Sequence, residues 1–140
     1  MATMNVEILT PEAALWSGTA SALMARSSDG EFTVLPEHTA TVGDVVPYVV
    51  RVQTTDEGEI AFAVHSGFFQ VGKGLDPDVT LATVLASVAE RTTEIDVPRA
   101  QAAKEAAEAR LAAATQGEDE ELLAYAALQR AELRLSAATK

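Results

Sequence analysis

The amino-acid composition changes abruptly about two-thirds of the way along the chain, and this change limits the folds open to it. Residues 96–140 contain one glycine and one proline, and are dominated by alanine, glutamate, leucine and arginine. These are strong helix formers, so the segment predicts helices. Before about position 90, short runs of β-branched and other apolar residues alternate with glycine, proline, aspartate and serine. That pattern is typical of strands joined by tight turns.

The first part of the chain predicts a series of short strands. Met4, Val6 and Ile8 show the period-2 pattern of a half-buried strand. Further candidate strands, bounded by turn residues, are 20–27, 31–35, 45–53, 60–66, 68–72 and 79–84. Since no helical stretch separates them, they predict an antiparallel sandwich or barrel of about eight to ten strands. Of the adjacent Phe68 and Phe69, one is expected to face outward, as a candidate contact for a partner protein.

The second part predicts two helices joined by a short turn. Asp96 is a suitable N-cap, and Pro98 falls in the first turn, where proline is tolerated. The first helix is expected to run to about residue 115, and the second from about 120 to 138. The fold class is therefore α+β: an antiparallel β-sandwich docking domain, residues 1–89, followed by a two-helix hairpin, residues 90–140.

The two predicted helices carry thin apolar stripes that are rich in alanine. Alanine lets helices approach closely but buries little apolar area, so the hairpin is expected to be weakly stabilised and able to move. The stripes are Ala100, Ala103, Ala107, Leu111 and Ala114 in the first helix, and Leu123, Ala127, Leu128, Ala131 and Leu135 in the second.

Charge and composition exclude several function classes. The net charge of −11 argues against nucleic-acid binding and against direct docking on an anionic membrane. No run approaches the roughly 20 apolar residues of a membrane span, and residues 1–9 lack the basic region of a signal peptide. There is no cysteine, and His38 and His65 lack metal-ligand spacing. Without a catalytic or Walker motif, we expect a non-catalytic interaction subunit with no metal and no required cofactor.

Three arginines are the most distinctive feature of the hairpin. Arg99 lies in the first turn of the first helix, and Arg130 and Arg134 share a face of the second. Folding the hairpin about its turn brings them together at its open end, beside the N–H donors of the first helix. Such a cluster favours a bound anion or phosphate that closes the hairpin. Alternatively, the guanidinium groups are solvated or paired with Asp96 and Glu132, and spacing alone does not choose between these interpretations.

The motifs resemble those of one protein family. Residues 95–100, IDVPRA, resemble the I/L-D-x-x-R-A motif of bacterial F-type ATP synthase epsilon subunits. Residues 130–136, RAELRLS, resemble the R-x-x-x-R stretch of that family's second C-terminal helix. The N-terminal segments also follow the family's order: VEILTPE (6–12), WSG (16–18), GEFTVLPEH (30–38) and SGFFQV (66–71). The resemblance covers essentially the whole chain and depends on the order and spacing of these motifs.

This resemblance implies a fold and a function. The β domain is expected to be the family's ten-stranded sandwich, docked on the gamma subunit and the c-ring as part of the rotor. The hairpin is expected to have a contracted form and an extended form that reaches the alpha and beta subunits and hinders ATP hydrolysis. In some members ATP binds the contracted form as a regulatory ligand. The expected location is the cytoplasmic face of the bacterial plasma membrane, where the synthase holds the chain without direct membrane insertion.

The resemblance also implies two sets of site residues. Glu31, Glu37 and His38 are expected at the rotor interface. Glu37 stands where the family commonly has glycine, in L-P-G-H, and adds a charge to that loop. The expected ATP-binding residues are Glu90, Ile95, Asp96, Arg99, Ala100, Arg130 and Arg134.

A function of another class is a stand-alone β-sandwich binding module, for example for sugars, with a helical tail for self-association. This alternative would require exposed aromatic stripes. The aromatic content of 5% is low for a sugar-binding platform. The order of the family motifs also has no explanation under this alternative.

Overall fold

The computed structural model describes residues 2–138, and the chain divides into two compact units, Met1–Arg91 and Thr92–Lys140. The first unit is a β-sandwich. Its strands within the described residues are β1 Met4–Leu9, β2 Ala14–Ser27, β3 Gly30–Val34, β4 Thr41–Val45, β5 Tyr48–Thr54, β6 Glu59–Val64, β7 Gly67–Lys73, β8 Thr80–Ala86 and β9 Ala89–Arg91.

The sandwich follows the strand order β4-β7-β8-β1-β2-β5-β6-β9, and β3 pairs with β2 beside this path. The neighbouring strands pair antiparallel except for β1 and β8, which run parallel. Strand β2 is long enough to pair with β1 through its first half and with β3 and β5 through its second half. It therefore crosses from one half of the sandwich to the other.

The core of the sandwich is formed by residues that alternate along the strands. Met4, Val6 and Ile8 of β1 are fully buried, which confirms the period-2 pattern. Phe69 of β7 packs on Phe32 of β3, with ring centroids 4.4 Å apart. The other large side chains of this core are Leu23, Val34, Val50, Val52, Phe62, Val64 and Val84. At about 25 cal/mol per Å² of apolar area, their burial is the main term that stabilises the unit.

The structure corrects three strand boundaries. The predicted strand 45–53 corresponds to β5, which begins only at Tyr48, because Pro47 has no N–H for the sheet and separates β5 from β4. Strand β2 begins at Ala14 rather than at residue 20, since its first half pairs with β1. The short strand β9 was not predicted; it extends the sheet beside β6.

The second unit begins with a 3₁₀ helix, Thr92–Glu94, followed by α1, Val97–Ala113, and α2, Asp119–Ala138. The prediction of Asp96 as N-cap is confirmed, because its Oδ1 accepts a hydrogen bond from the Arg99 N–H at 3.0 Å. Gly117 lies in the turn between the helices with a φ of +86°, which glycine adopts without steric cost.

The two helices pack through alanines seven residues apart, which we call the alanine seam. Its buried residues are Ala100 and Ala107 in α1, and Ala124 and Ala131 in α2. A seven-residue repeat keeps one face turned toward the partner helix over two turns. The predicted stripe was wrong at Leu123, which is 58% exposed because its neighbour Ala124 faces α1. It was also wrong at Ala103, which is exposed.

Candidate functional site

The arginines of the hairpin occupy different environments. Arg99 and Arg130 are exposed. Neither guanidinium group forms a hydrogen bond or an ion pair with another of the residues 2–138. Arg134 is half-buried and has an interaction partner. Arg110, near the turn, is paired with Glu120 at 3.3 Å. Two cationic groups of the predicted set are therefore accessible to an anion.

Asp96 accepts hydrogen bonds from backbone N–H groups of α1 and caps this helix. Its carboxylate accepts the Arg99 N–H, and its backbone carbonyl accepts the Ala100 N–H at 2.9 Å. Ala100 is buried in the alanine seam. Ile95, half-buried, joins the 3₁₀ helix to α1. This arrangement fixes the first turn of α1 and uses most of its N–H groups, since Asp96 accepts those of Arg99 and Ala100 and Pro98 has none.

The chain folds back so that α2 contacts both α1 and the 3₁₀ helix Thr92–Glu94. Since the turn after α1 is short, the helices are antiparallel and the end of α2 lies at the start of the hairpin. The six predicted ATP-binding residues from Ile95 to Arg134 all belong to this unit. Glu90 belongs to the sandwich unit, where it is half-buried and pairs with Ala63 of β6.

Glu31, predicted at the rotor interface, is part of a polar cluster on the sandwich. It lies in β3 opposite Arg26 of β2, and its carboxylate accepts a short hydrogen bond from the Tyr48 hydroxyl. The Arg26 guanidinium lies over the Tyr48 ring, 5.7 Å from its centroid. The hydrogen bond to Glu31, with burial and the negative charge of Glu31, raises the pKa of Tyr48 above 10.0. The Glu31 carboxylate is therefore held in place before any partner binds.

Glu37 occupies a turn that favours glycine. The His38 N–H donates to the Leu35 carbonyl at 3.1 Å, and Glu37, third in this turn, has a φ of +71°. A positive φ at that position defines a type II turn. Glu37 is the only residue other than glycine with a positive φ within residues 2–138. Its N–H donates to Oγ1 of Thr80 at 2.8 Å, so the turn is tied to the first residue of β8.

His38 follows in the same turn and is half-buried. Its Nδ1 lies 2.8 Å from the carbonyl of Thr39, so the ring is hydrogen-bonded within its own loop. Glu37 and His38 are therefore adjacent, whereas Glu31 lies at the opposite end of β3. His65 is buried in the sandwich, and its N–H donates to the Val88 carbonyl at 3.0 Å.

Apolar side chains from four strands lie on one outer face of the sandwich, three of them exposed and Leu9 half-buried. Phe68 of β7 pairs directly with Leu85 of β8, and Leu85 pairs with Leu9 of β1. Phe68 is 63% exposed and Phe69 is 8% exposed, which confirms that one of the two phenylalanines faces outward. Val42 of β4 lies on the same face and is 73% exposed. We call Val42, Phe68, Leu85 and Leu9 the outer row.

From the sequence, only the pair Phe68 and Phe69 was noted, with one of the two expected to face outward. The pairing of Leu85 and Leu9 depends on the parallel contact between β8 and β1, which lie far apart in the sequence. The sequence signal that could have indicated Leu85 is the period-2 pattern of a strand, in which neighbouring residues face opposite sides. In the structure Val84 and Ala86 are buried and Leu85 faces outward.

Residues 2–138 offer neither a membrane-spanning helix nor a metal-binding cluster. None of the helices there is long and apolar enough to cross a membrane. The described residues also contain no cluster of three histidine, cysteine or acidic side chains that could hold a metal ion.

Two family models match this chain in succession. The model of the ATP synthase delta/epsilon chain β-sandwich domain matches residues 3–92, and that of the delta/epsilon chain long α-helix domain matches residues 93–139. Among solved structures, a chain of the Euglena gracilis mitochondrial ATP synthase has a TM-score of 0.79 at 22% identity. It is matched over 100% of this chain and 83% of that one. At this identity the likeness shows the fold.

Curated bacterial relatives extend over nearly the full length of the chain. The ATP synthase epsilon chain of Moorella thermoacetica is 39% identical over 138 residues, which cover 99% of this chain and 98% of the relative. That of an Exiguobacterium species is 37% identical over 136 residues, covering 97% and 96%. The resemblance found in the sequence motifs is thereby confirmed. The chain belongs to the ATP synthase delta/epsilon chain family, among the bacterial epsilon chains.

Proposed function

We propose that this chain is a non-catalytic subunit of the rotor of a bacterial F-type ATP synthase. The observation that carries the proposal is the match of both units, in order, to the delta/epsilon chain domains over residues 3–139. A chain of similar fold, with a TM-score of 0.60, belongs to the central stalk and c-ring structure of the Tetrahymena thermophila enzyme. The chain is then peripheral, on the cytoplasmic face of the plasma membrane, and is held there by its partners.

The outer row is the surface that we assign to the gamma subunit. Phe68, Leu85 and the half-buried Leu9 lie side by side on neighbouring strands. Val42 lies on the same face, opposite Gln70, whereas Asp44 is opposite Phe68. The core of an interface is typically apolar with an aromatic anchor, a role that Phe68 can fill. The turn with Glu37 and His38 and the cluster around Glu31 supply polar groups for the c-ring. Glu31 is preorganised by Tyr48, so its ordering requires no further loss of side-chain entropy on binding.

Binding to a purified gamma subunit tests this assignment. Phe68→Ser is expected to weaken binding by about tenfold or more, as for an anchor at an interface centre. Leu75→Ser is the matched control, because Leu75 is also an exposed apolar residue but lies outside the outer row, between β7 and β8. Equal affinities of the two variants would place the gamma contact elsewhere on the chain.

The hairpin is the proposed inhibitory element. Its two helices meet through small alanine side chains, and Leu122, Leu123 and Tyr125 of α2 are exposed. A thin seam costs little to open, and exposed leucines and a tyrosine provide apolar area for another surface. In the extended form the helices would contact the alpha and beta subunits and hinder ATP hydrolysis. In the contracted form they would leave hydrolysis unaffected.

ATP is the proposed ligand of the contracted form. Arg99 and Arg130 are accessible cations at the end of the hairpin where α1 begins. The support comes from these guanidinium groups, since the Arg99 and Ala100 N–H groups already donate to Asp96. Arg134 and Ile95 lie in the same unit, and Glu90 remains a prediction from the resemblance. A ligand that binds only the contracted form adds RT ln(1 + [L]/Kd) to its stability, and so disfavours extension.

Calorimetric titration of the isolated chain with ATP tests this part of the proposal. Arg99→Ala and Arg130→Ala are expected to weaken binding by at least tenfold each, since each removes a charged partner of the phosphates. Arg110→Ala is the control, because Arg110 is a helix arginine near the turn, already paired with Glu120. Saturable binding that survives both test variants, or no binding at millimolar ATP, would refute the ATP site. Neither result would bear on the proposed contact with the gamma subunit, which the Phe68→Ser binding experiment tests separately.

A further inference from the structure

The turn between β5 and β6 is fixed by its own hydrogen bonds. The Thr54 N–H and hydroxyl both donate to the Gly58 carbonyl, at 2.9 and 2.6 Å, and the Glu57 N–H donates to Thr54 Oγ1 at 2.8 Å. Gly58 has a φ of +72°, as such a tight turn requires. The Thr55 N–H also donates to the Thr19 carbonyl of β2 at 3.0 Å. The Glu57 side chain therefore projects from a rigid base.

Glu57 joins two parts of the sandwich that are remote in sequence. Its Oε2 accepts a hydrogen bond from Nε1 of Trp16 in β2 at 2.9 Å. Its Oε1 accepts one from Nη2 of Arg91 in β9 at 3.1 Å. The bond from Trp16, and then the bond and charge of Arg91, lower the pKa of Glu57 below its ordinary value of 4.5. Both contacts are charge-assisted, because the acceptor is an ionised carboxylate.

Trp16 is itself held in position. A Cβ atom at Gly18 would lie 2.8 Å from Cζ2 of the Trp16 ring, so the indole rests directly over this glycine. Trp16 is half-buried and packs against the hydrophobic core. Its indole N–H therefore points to Glu57 from a restrained ring. Trp16 is also the only tryptophan of the chain, so its fluorescence reports on this one place.

Arg91 is the last residue of the sandwich unit, and the chain continues directly into the 3₁₀ helix Thr92–Glu94. Strand β9 has three residues and, within the described chain, pairs only with β6. A three-residue strand at a sheet edge has few backbone hydrogen bonds and frays easily. The contact of Arg91 with Glu57 supplies a side-chain restraint at the last residue of this strand.

We propose that Trp16, Glu57 and Arg91 form a clamp that holds β9 on the sandwich and so fixes the point at which the chain leaves this unit. Glu57 is the positioning residue, since it alone contacts both others. When the clamp is open, β9 detaches and the segment between the two units becomes longer. The clamp lies wholly within the sandwich unit and stands independently of the proposed function.

Amide hydrogen exchange of the full-length chain, read by mass spectrometry over residues 89–95, tests the clamp. Exchange is expected to be roughly two- to fivefold faster in Glu57→Gln and in Arg91→Gln, the range for a partly exposed ion pair. Glu59→Gln is the matched control. Glu59 is also 45% exposed at its side chain and is also paired with an arginine, Arg51 at 3.4 Å, but this arginine belongs to β5 and not to β9.

Two further results separate a clamp from a general loss of stability. High salt is expected to accelerate exchange of β9 in the wild-type chain and not in Glu57→Gln, because the ion pair is then already absent. Glu57→Gln is also expected to change the Trp16 emission, whereas Glu59→Gln is not. Unchanged exchange of residues 89–95 in Glu57→Gln, or equal acceleration in Glu57→Gln and Glu59→Gln, would overturn the proposal.

Discussion

Glu37→Gly is a substitution for which the structure gives both a direction and a magnitude. Glu37 has a φ of +71° in a hydrogen-bonded turn, and its N–H is tied to Thr80. A residue with a Cβ atom in this left-handed region costs roughly 1–2 kcal/mol. Glycine removes that cost. However, glycine is more flexible in the unfolded chain, so ordering it on folding costs about 0.5–1 kcal/mol more. The net expectation is that Glu37→Gly stabilises the sandwich unit by about 0.5–1 kcal/mol.

Thermal unfolding followed by circular dichroism measures this effect. For a unit of this size, the expected gain corresponds to an increase in Tm of roughly 2–8 °C. Glu37→Gln is the control, because it removes the charge and keeps the Cβ atom, and it is expected to give no comparable gain. Glu37→Asn is expected to lie between them, since asparagine tolerates the left-handed region. A Tm for Glu37→Gly no higher than that for Glu37→Gln would refute the reasoning.

Three other predictions concern packing and charge. Gly67→Ala is expected to destabilise the sandwich by about 3 kcal/mol or more in urea unfolding, because the added Cβ atom would lie 2.0 Å from the Leu85 carbonyl oxygen. A decrease in the free energy of unfolding of less than about 1 kcal/mol would contradict this expectation. Ala107→Leu is expected to cost about 1–3 kcal/mol by overfilling the alanine seam, whereas Ala106→Leu, at an exposed position, is not. Since folding lowers the pKa of Glu57, its ionised carboxylate stabilises the folded chain above pH 4.5. This stabilisation is lost as the pH falls through the pKa that Glu57 has in the folded state. In urea unfolding, wild type is therefore expected to have a higher free energy of unfolding than Glu57→Gln at pH 6. This difference should vanish at strongly acid pH.

Features encoded locally could be predicted from the sequence. The change in composition near residue 90 predicted a sheet followed by helices, and Asp96 predicted the start of α1, because an N-cap depends on neighbouring residues alone. The alternation of Met4, Val6 and Ile8 predicted their burial. These signals are set by the period of a strand or a helix and require no knowledge of the partner element.

Features that depend on distant residues could not be predicted in this way. The side-chain contacts of Glu57 reach across 41 residues to Trp16 and across 34 to Arg91. The choice of Ala124 over Leu123 for the alanine seam depends on how closely the helices approach, which a hydrophobic pattern does not encode. Glu37 was noted in the sequence as a charge at a position where the family commonly has glycine, and the strain of its backbone follows from the turn that the structure shows.

The most direct test of the proposed function is ATP hydrolysis by the alpha–beta–gamma complex of the same synthase, measured as this chain is added back. We expect saturable inhibition that follows binding of the chain to the complex. Phe68→Ser is expected to shift the inhibition to higher concentration, and Leu75→Ser to leave it unchanged. Binding at saturation without any decrease in hydrolysis would contradict the inhibitory role of the hairpin.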